Sequence, residues 1–143
     1  MLLETSDTLP SLFPSLFRNH YECQIGSGWI SIAIRCLGQI EGAARQVGLK
    51  GEEFPLVVCV KEKFGALRIY HERGPFLLYR FTEEAEKASL SICEDCGISG
   101  NEDPTVSLET ISPGRISWLK TLCQACRVLR IDEWLARNDC SSP

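Results

Sequence analysis

Four cysteines stand in two Cys-x-x-Cys steps, Cys93-Glu-Asp-Cys96 and Cys123-Gln-Ala-Cys126. A two-residue spacer on a tight turn lets both sulfurs of a pair face one ion, and Zn2+ takes tetrahedral thiolate ligands. Four protein thiolates complete that shell and leave no position for water. The spacing therefore points to one structural zinc ion rather than a catalytic one. Three other uses of such cysteines compete with this reading: disulfides, a pair of redox motifs, and four buried thiols. The redox use belongs to a thioredoxin-like βαβ context, which the flanking sequence does not offer.

The residues around the cysteines say what must hold them. Gly97 follows the first pair and supplies the backbone freedom a knuckle needs. Thr105–Glu109 and Ile116–Leu122 are β-prone runs around the turn signal Ser112-Pro113-Gly114. The second pair opens a helix that runs to about Arg137, with Asn138 as its stop and with Ala125, Val128, Ile131 and Leu135 facing inward. Knuckle, hairpin and ligand-bearing helix make a treble-clef-like zinc finger in residues 93–143, packed on an α+β body in residues 1–92.

In the body, Pro10, Pro14 and a repeated Ser-Leu-Phe mark an N-terminal arm that docks Phe13, Leu16 and Phe17. Gly26-Ser27-Gly28-Trp29 opens the first helix, with Ser27 as N-cap and Gly48 as terminator. Trp29, Ala33, Cys36, Ile40, Ala44 and Val47 form its apolar stripe. The lone Gly-x-Gly lacks the preceding strand and third glycine of a phosphate loop. Leu56–Val60 and Ala66–Tyr70 read as an antiparallel hairpin with Gly65 at a turn or bulge. Gly74-Pro75 starts a second helix, Pro at its first position, whose stripe is Leu78, Phe81, Ala85, Ala88 and Ile92. The fold class is α+β: helix, β-hairpin, helix, zinc finger.

The chain has 143 residues and a formal net charge of −4. It lacks the basic and apolar regions of a signal peptide, and no apolar run reaches the length of a membrane span. Eight cysteines without a secretion signal fit a reducing cytosol. Cys23, Cys36 and Cys59 read as small buried apolar groups, and Cys140 as an exposed thiol near a frayed tail. Residues 83–109 carry eight acids and only Lys87 as a base, an arc poorly suited to a phosphate backbone. Lys61, Lys63 and Arg68, with Phe64 and Tyr70 between them, are the competing basic patch. Arg127, Arg130 and Arg137 are expected on the outer side of the last helix, adding to Arg115 and Lys120.

The series Glu22-Cys23, Gly28-Trp29, Val60-Lys-Glu-Lys-Phe-Gly65, Leu67-Arg68, Cys93-Glu94, Cys96-Gly97, Trp118, Thr121-Leu-Cys123 and Cys126 resembles a family of small, mostly uncharacterised zinc-knuckle proteins of bacteriophages, prophages and bacteria. The likeness covers most of residues 12–126. Ala66 stands where the family usually has a second glycine, and the tail beyond Cys126 is longer. The resemblance implies zinc and the cytoplasm of a bacterial host cell, and no enzyme activity.

Function is then expected to be non-enzymatic. Only two histidines occur, His20 and His71, and no nucleophile–base or paired-carboxylate pattern emerges. The first reading is a zinc-stabilised protein that binds and inhibits a protein partner, of immunity or phage counter-defence type. Glu83, Glu84, Glu94, Asp95, Arg127 and Arg130 are its candidate contacts, because an acidic surface speeds encounter with a basic one. A nucleic-acid-binding zinc-finger regulator is the alternative, resting on the hairpin cations and the last helix. No membrane and no small-molecule substrate is implied.

Overall fold

The computed structural model describes residues 6–102, 106–111 and 119–138. The elements run α1 (Thr8–Leu12), β1 (Glu22–Gln24), α2 (Ile30–Gln46), β2 (Leu56–Lys63), β3 (Ala66–Glu72), α3 (Tyr79–Ser89), β4 (Leu108–Ile111), β5 (Lys120–Cys123) and α4 (Gln124–Asn138). The fold is α+β, with a three-stranded sheet in the order β1-β2-β3 and a separate β4-β5 pair.

β2 and β3 pair antiparallel down to Lys63 opposite Ala66. Only Phe64 and Gly65 remain to turn the chain, both at positive φ (55° and 80°), as a tight two-residue hairpin loop requires. The hairpin is thus longer than the β-rich runs alone indicate. Its charged extension Lys61–Lys63 lies within the strand, and the register slips between Val57 and Cys59. β1 lies parallel to β2, with Cys23 opposite Val60. Three residues carry too little alternation to be recognised as a strand from sequence.

α2 buries Ile30, Ala33, Cys36, Leu37, Ile40 and Ala44, whereas Val47 is exposed. It does not start on a Ser27 cap. Ser27–Trp29 is a 3-10 turn, and the Ser27 hydroxyl donates to the Asp95 carbonyl at 3.0 Å. α3 is likewise preceded by a 3-10 turn at Phe76–Leu78, with Pro75 at its cap rather than inside the helix. The arm docks as its apolar anchors dictate: Leu9, Phe13, Leu16 and Phe17 all join the core around Trp29. Arg18 holds the arm by donating to the carbonyls of Pro55 and Phe54 at 3.0 and 2.9 Å.

α4 departs most from expectation. Val128 and Leu135 are 49% and 52% exposed, and Ala125 is exposed too. Arg127 and Arg130, expected on the outer side, instead pair with Glu109 and Asp95. Periodicity locates an apolar stripe but not which neighbour it meets. Here the face carrying Arg127 and Arg130 turns toward Glu109 and Asp95 instead. The turn Ser112-Pro113-Gly114, Arg115, Trp118 and Cys140 lie outside the described residues.

Candidate metal centre

Cys93 and Cys96 sit on a turn closed by the Gly97 N–H donating to the Cys93 carbonyl at 2.9 Å. Gly97 has φ 82°, the left-handed conformation that glycine adopts at no cost. Cys123 ends β5 and Cys126 lies in the first turn of α4. β4 pairs with β5, Leu108 opposite Cys123, which fixes where that sulfur stands. A small core of Leu122 with Val106 and Leu108 backs Cys93, Cys123 and Cys126, while Cys96 is exposed.

The four Sγ atoms all lie within 4.8 Å of one another, the only such metal-ligand group among the described residues. A metal at about 2.3 Å from four tetrahedral sulfurs sets neighbouring sulfurs about 3.8 Å apart. Cys96 and Cys123 Sγ are separated by 3.7 Å. The seven described cysteines are free thiols, so the disulfide reading does not apply to the cluster. The donor set fits one metal ion closed on all four sides. Without a cation the thiols ionise unevenly, one favoured at the expense of its neighbours. Burial pushes Cys126 up, reinforced by the Cys123, Cys93 and Cys96 thiols. Burial also resists ionising Cys123, but the Cys126 backbone and the surrounding thiols outweigh it and pull this pKa below the ordinary value.

The metal turn is stitched to the body backbone to backbone. Gly28 N–H donates to the Glu94 carbonyl at 2.9 Å, and Glu94 N–H donates to the Thr121 carbonyl at 3.0 Å. Trp29 Nε1 donates to the Ile92 carbonyl at 2.8 Å. The buried Thr121 hydroxyl donates to the carbonyl of Gly65, at the hairpin tip, at 2.6 Å. A Cβ on Gly28 would lie 2.1 Å from the Cys93 carbonyl oxygen, and one on Gly26 2.2 Å from that of Glu94. The Gly-x-Gly step therefore serves close approach of two backbones, not a phosphate.

Beside the centre runs a charged seam. Lys120 Nζ contacts Glu62 at 2.6 Å and Glu94 at 3.8 Å. Glu94 is only 2% exposed and its Oε1 has no hydrogen-bond partner. Burial pushes its carboxyl up to about 7, with Lys120 pulling the other way. Asp95 takes a two-pronged bond from Arg130, at 2.7 Å from Nε and 2.6 Å from Nη2. Of the six residues expected to meet a partner, Glu83 and Glu84 are exposed on α3, Glu94 is buried, and Asp95, Arg127 and Arg130 are engaged within the chain. The hairpin cations are also answered: Lys61 faces Glu22 at 3.9 Å and Arg68 faces Glu86 at 2.9 Å. Lys63 makes no ion pair among the described residues and lies over the Phe64 ring. The seam joins Glu62 of the hairpin to Glu94 of the metal turn, a pairing that residues 32 positions apart do not announce.

No helix among the described residues is long and apolar enough to cross a membrane. Comparison with protein-family models, curated proteins and solved structures finds no match.

Proposed function

We propose that this chain is a non-enzymatic protein of the bacterial or phage zinc-knuckle kind, fastened by one structural zinc ion in a treble-clef-like module, that binds and blocks a protein partner in the cytoplasm of a bacterial host. Zinc is the metal that four crowded thiolates with no open position serve best.

The observation that carries partner binding is an uncharged groove of about 720 Å³ on the metal module, lined by Ile98, Val106, Cys123, Ala125, Val128 and Leu129. Leu129 is 60% exposed. A contiguous apolar groove at the surface marks an interaction site, and its size suits the apolar stripe of a partner helix. The net charge of −4 favours a helix with basic flanks. A nucleic-acid regulator is the weaker reading, because Lys61, Arg68, Arg127 and Arg130 each face a carboxylate.

The test compares the zinc-loaded chain with a Val128→Asp/Leu129→Asp double variant as baits in host lysate. The proposal expects one stoichiometric protein on the wild-type bait, lost from the variant while its zinc content stays at one ion. Equal capture by both baits, or recovery of nucleic acid alone, overturns it.

A further inference from the structure

On another side of the molecule lies a cavity of about 640 Å³ that the partner-binding reading does not use. It is lined by the edge strand β1, the end of β2, Phe64 at the hairpin tip, Glu94 on the metal turn, Lys120 and Arg130. That volume suits a small ligand.

Most charges in this wall are matched. Lys61 faces Glu22, Lys120 sits 2.6 Å from Glu62, and Arg130 grips Asp95. Beyond these ion pairs stand Glu94 and, at the hairpin tip, Lys63 lying over the Phe64 ring. Glu94, buried, has an oxygen that accepts nothing. Lys63 makes no ion pair among the described residues. The Phe64 ring is 65% exposed. A buried acceptor without a donor is costly, and the 3.8 Å contact of Lys120 with Glu94 is loose enough for a ligand donor to replace it while Lys120 stays with Glu62.

A cationic ligand head is disfavoured, because Lys120 already occupies the seat between the two carboxylates and Arg130 lies in the same wall. What fits is a neutral N–H donor beside a carbonyl acceptor at the inner end, with a flat ring and an anionic tail at the mouth. We propose that the cavity binds a guanine nucleotide. Its base edge donates N–H to Glu94 and offers its carbonyl oxygen to Lys120, its ring stacks on Phe64, and its phosphate meets Lys63. Guanine alone among the common bases places two N–H donors next to a carbonyl on one edge, and recognition of unpaired bases by aromatic stacking plus edge hydrogen bonds is well founded. One phosphate contact suffices here, so the lack of a basic track elsewhere is no obstacle.

The test is calorimetric titration of the zinc-loaded full chain, at low salt, with 5′-GMP, 5′-AMP and a short single-stranded RNA holding one guanine. GMP is expected to bind at least about tenfold more tightly than AMP, whose base edge lacks the paired donors. Phe64→Ala, at an exposed turn position, is expected to weaken GMP by about fivefold or more, and Glu94→Gln likewise. Val128→Asp/Leu129→Asp is expected to leave GMP binding unchanged, which separates this site from the partner groove. RNA binding well above GMP assigns the site to an unpaired base in a strand, and equal binding assigns it to the free nucleotide; both support the cavity. No binding of either probe at about 1 mM, equal affinity for GMP and AMP, or indifference to Phe64→Ala overturns the proposal.

Discussion

Replacing Gly28 and Gly42 by alanine adds the same methyl group to the same chain, yet the structure calls for opposite signs. At Gly42, on α2, a Cβ meets nothing within 4 Å. Alanine there removes a helix-weakening glycine and should stabilise by about 0.5–1 kcal/mol. At Gly28 the Cβ would sit 2.1 Å from the Cys93 carbonyl oxygen, 2.5 Å from the Gly97 nitrogen and 2.7 Å from the Glu94 carbonyl carbon. Moving the closest of these out to the 3.4 Å of ordinary contact needs a retreat of about 1.3 Å. Neither side gives way easily. Trp29 is fully buried on one side, and two metal ligands pin the turn on the other. Overpacking of this kind costs about 1–3 kcal/mol. Separation of the two backbones also strains the 2.9 Å bond from Gly28 to Glu94, worth about 1 kcal/mol. The sum is a destabilisation of about 3 kcal/mol. Urea unfolding of the zinc-loaded variants, read as a midpoint shift at constant slope, measures both effects, and zinc transfer to a chromophoric chelator should be faster for Gly28→Ala only. A Gly28→Ala chain within about 0.5 kcal/mol of wild type would refute the view that this glycine is kept for backbone approach.

Further outcomes are expected. Purified chain should hold one zinc ion, and chelation should add four alkylation sites by mass, Cys93, Cys96, Cys123 and Cys126, while Cys36, whose thiol burial pushes up to about 12, stays unmodified near pH 8; an unchanged adduct count would speak against the centre. Thr121→Val strips the donor from the buried Gly65 carbonyl and should cost about 1–3 kcal/mol in the same unfolding assay, with no loss refuting the hairpin-to-module tie. His71 is buried, and burial lowers its pKa from 6.5, hydrogen bonding to the Arg73 and Glu72 backbone offsetting part of this. The unfolded chain therefore binds the proton more tightly, so this residue's contribution to stability is intact above about pH 6.5 and is lost as pH falls below it. The stability of wild type relative to His71→Phe, which keeps an aromatic ring to stack on Tyr79, should shrink between pH 8 and pH 5.5, and a pH-independent difference would refute the assignment.

The cysteine cluster was legible because metal ligands come at spacings fixed by ligand chemistry, and two short steps suffice to state it. The apolar stripes of α2 and α3 were legible for a related reason: each helix has one large core to face, so period and burial coincide. α4 broke that rule. Its stripe through Val128 and Leu135 has the period of a core face, but the module beneath it is only Leu122, Val106, Leu108 and the cysteines. So small a core leaves the helix's rotation weakly specified, and the observed rotation is the one that brings Arg130 to Asp95 and Arg127 to Glu109. Those pairs join residues 35 and 18 positions apart, and no local pattern encodes such a match. β1 is too short to show a pattern, and a serine before an apolar helix reads as a cap even where, as at Ser27, its hydroxyl donates to a carbonyl elsewhere.

The same limit explains why the acidic stretch did not become an acidic surface. A count of charge along the chain treats Glu94 and Asp95 as solvent groups, but both sit inside a metal turn whose backbone must lie flat against Gly28. That approach buries the Glu94 side chain and delivers Asp95 to Arg130. Once the turn is docked, Glu94 is buried and Asp95 is half-buried against Arg130, and two unmatched features lie beside it. One is the apolar groove along α4, and the other is the buried acceptor of Glu94 with Lys63 and Phe64 at the mouth of its cavity. Both trace to the turn itself: a metal held by the four cysteines would pin it, and the side chains it carries meet neighbours chosen by its geometry. Loss of the metal should therefore abolish the groove and the cavity together, whereas Val128→Asp and Phe64→Ala should each remove only one.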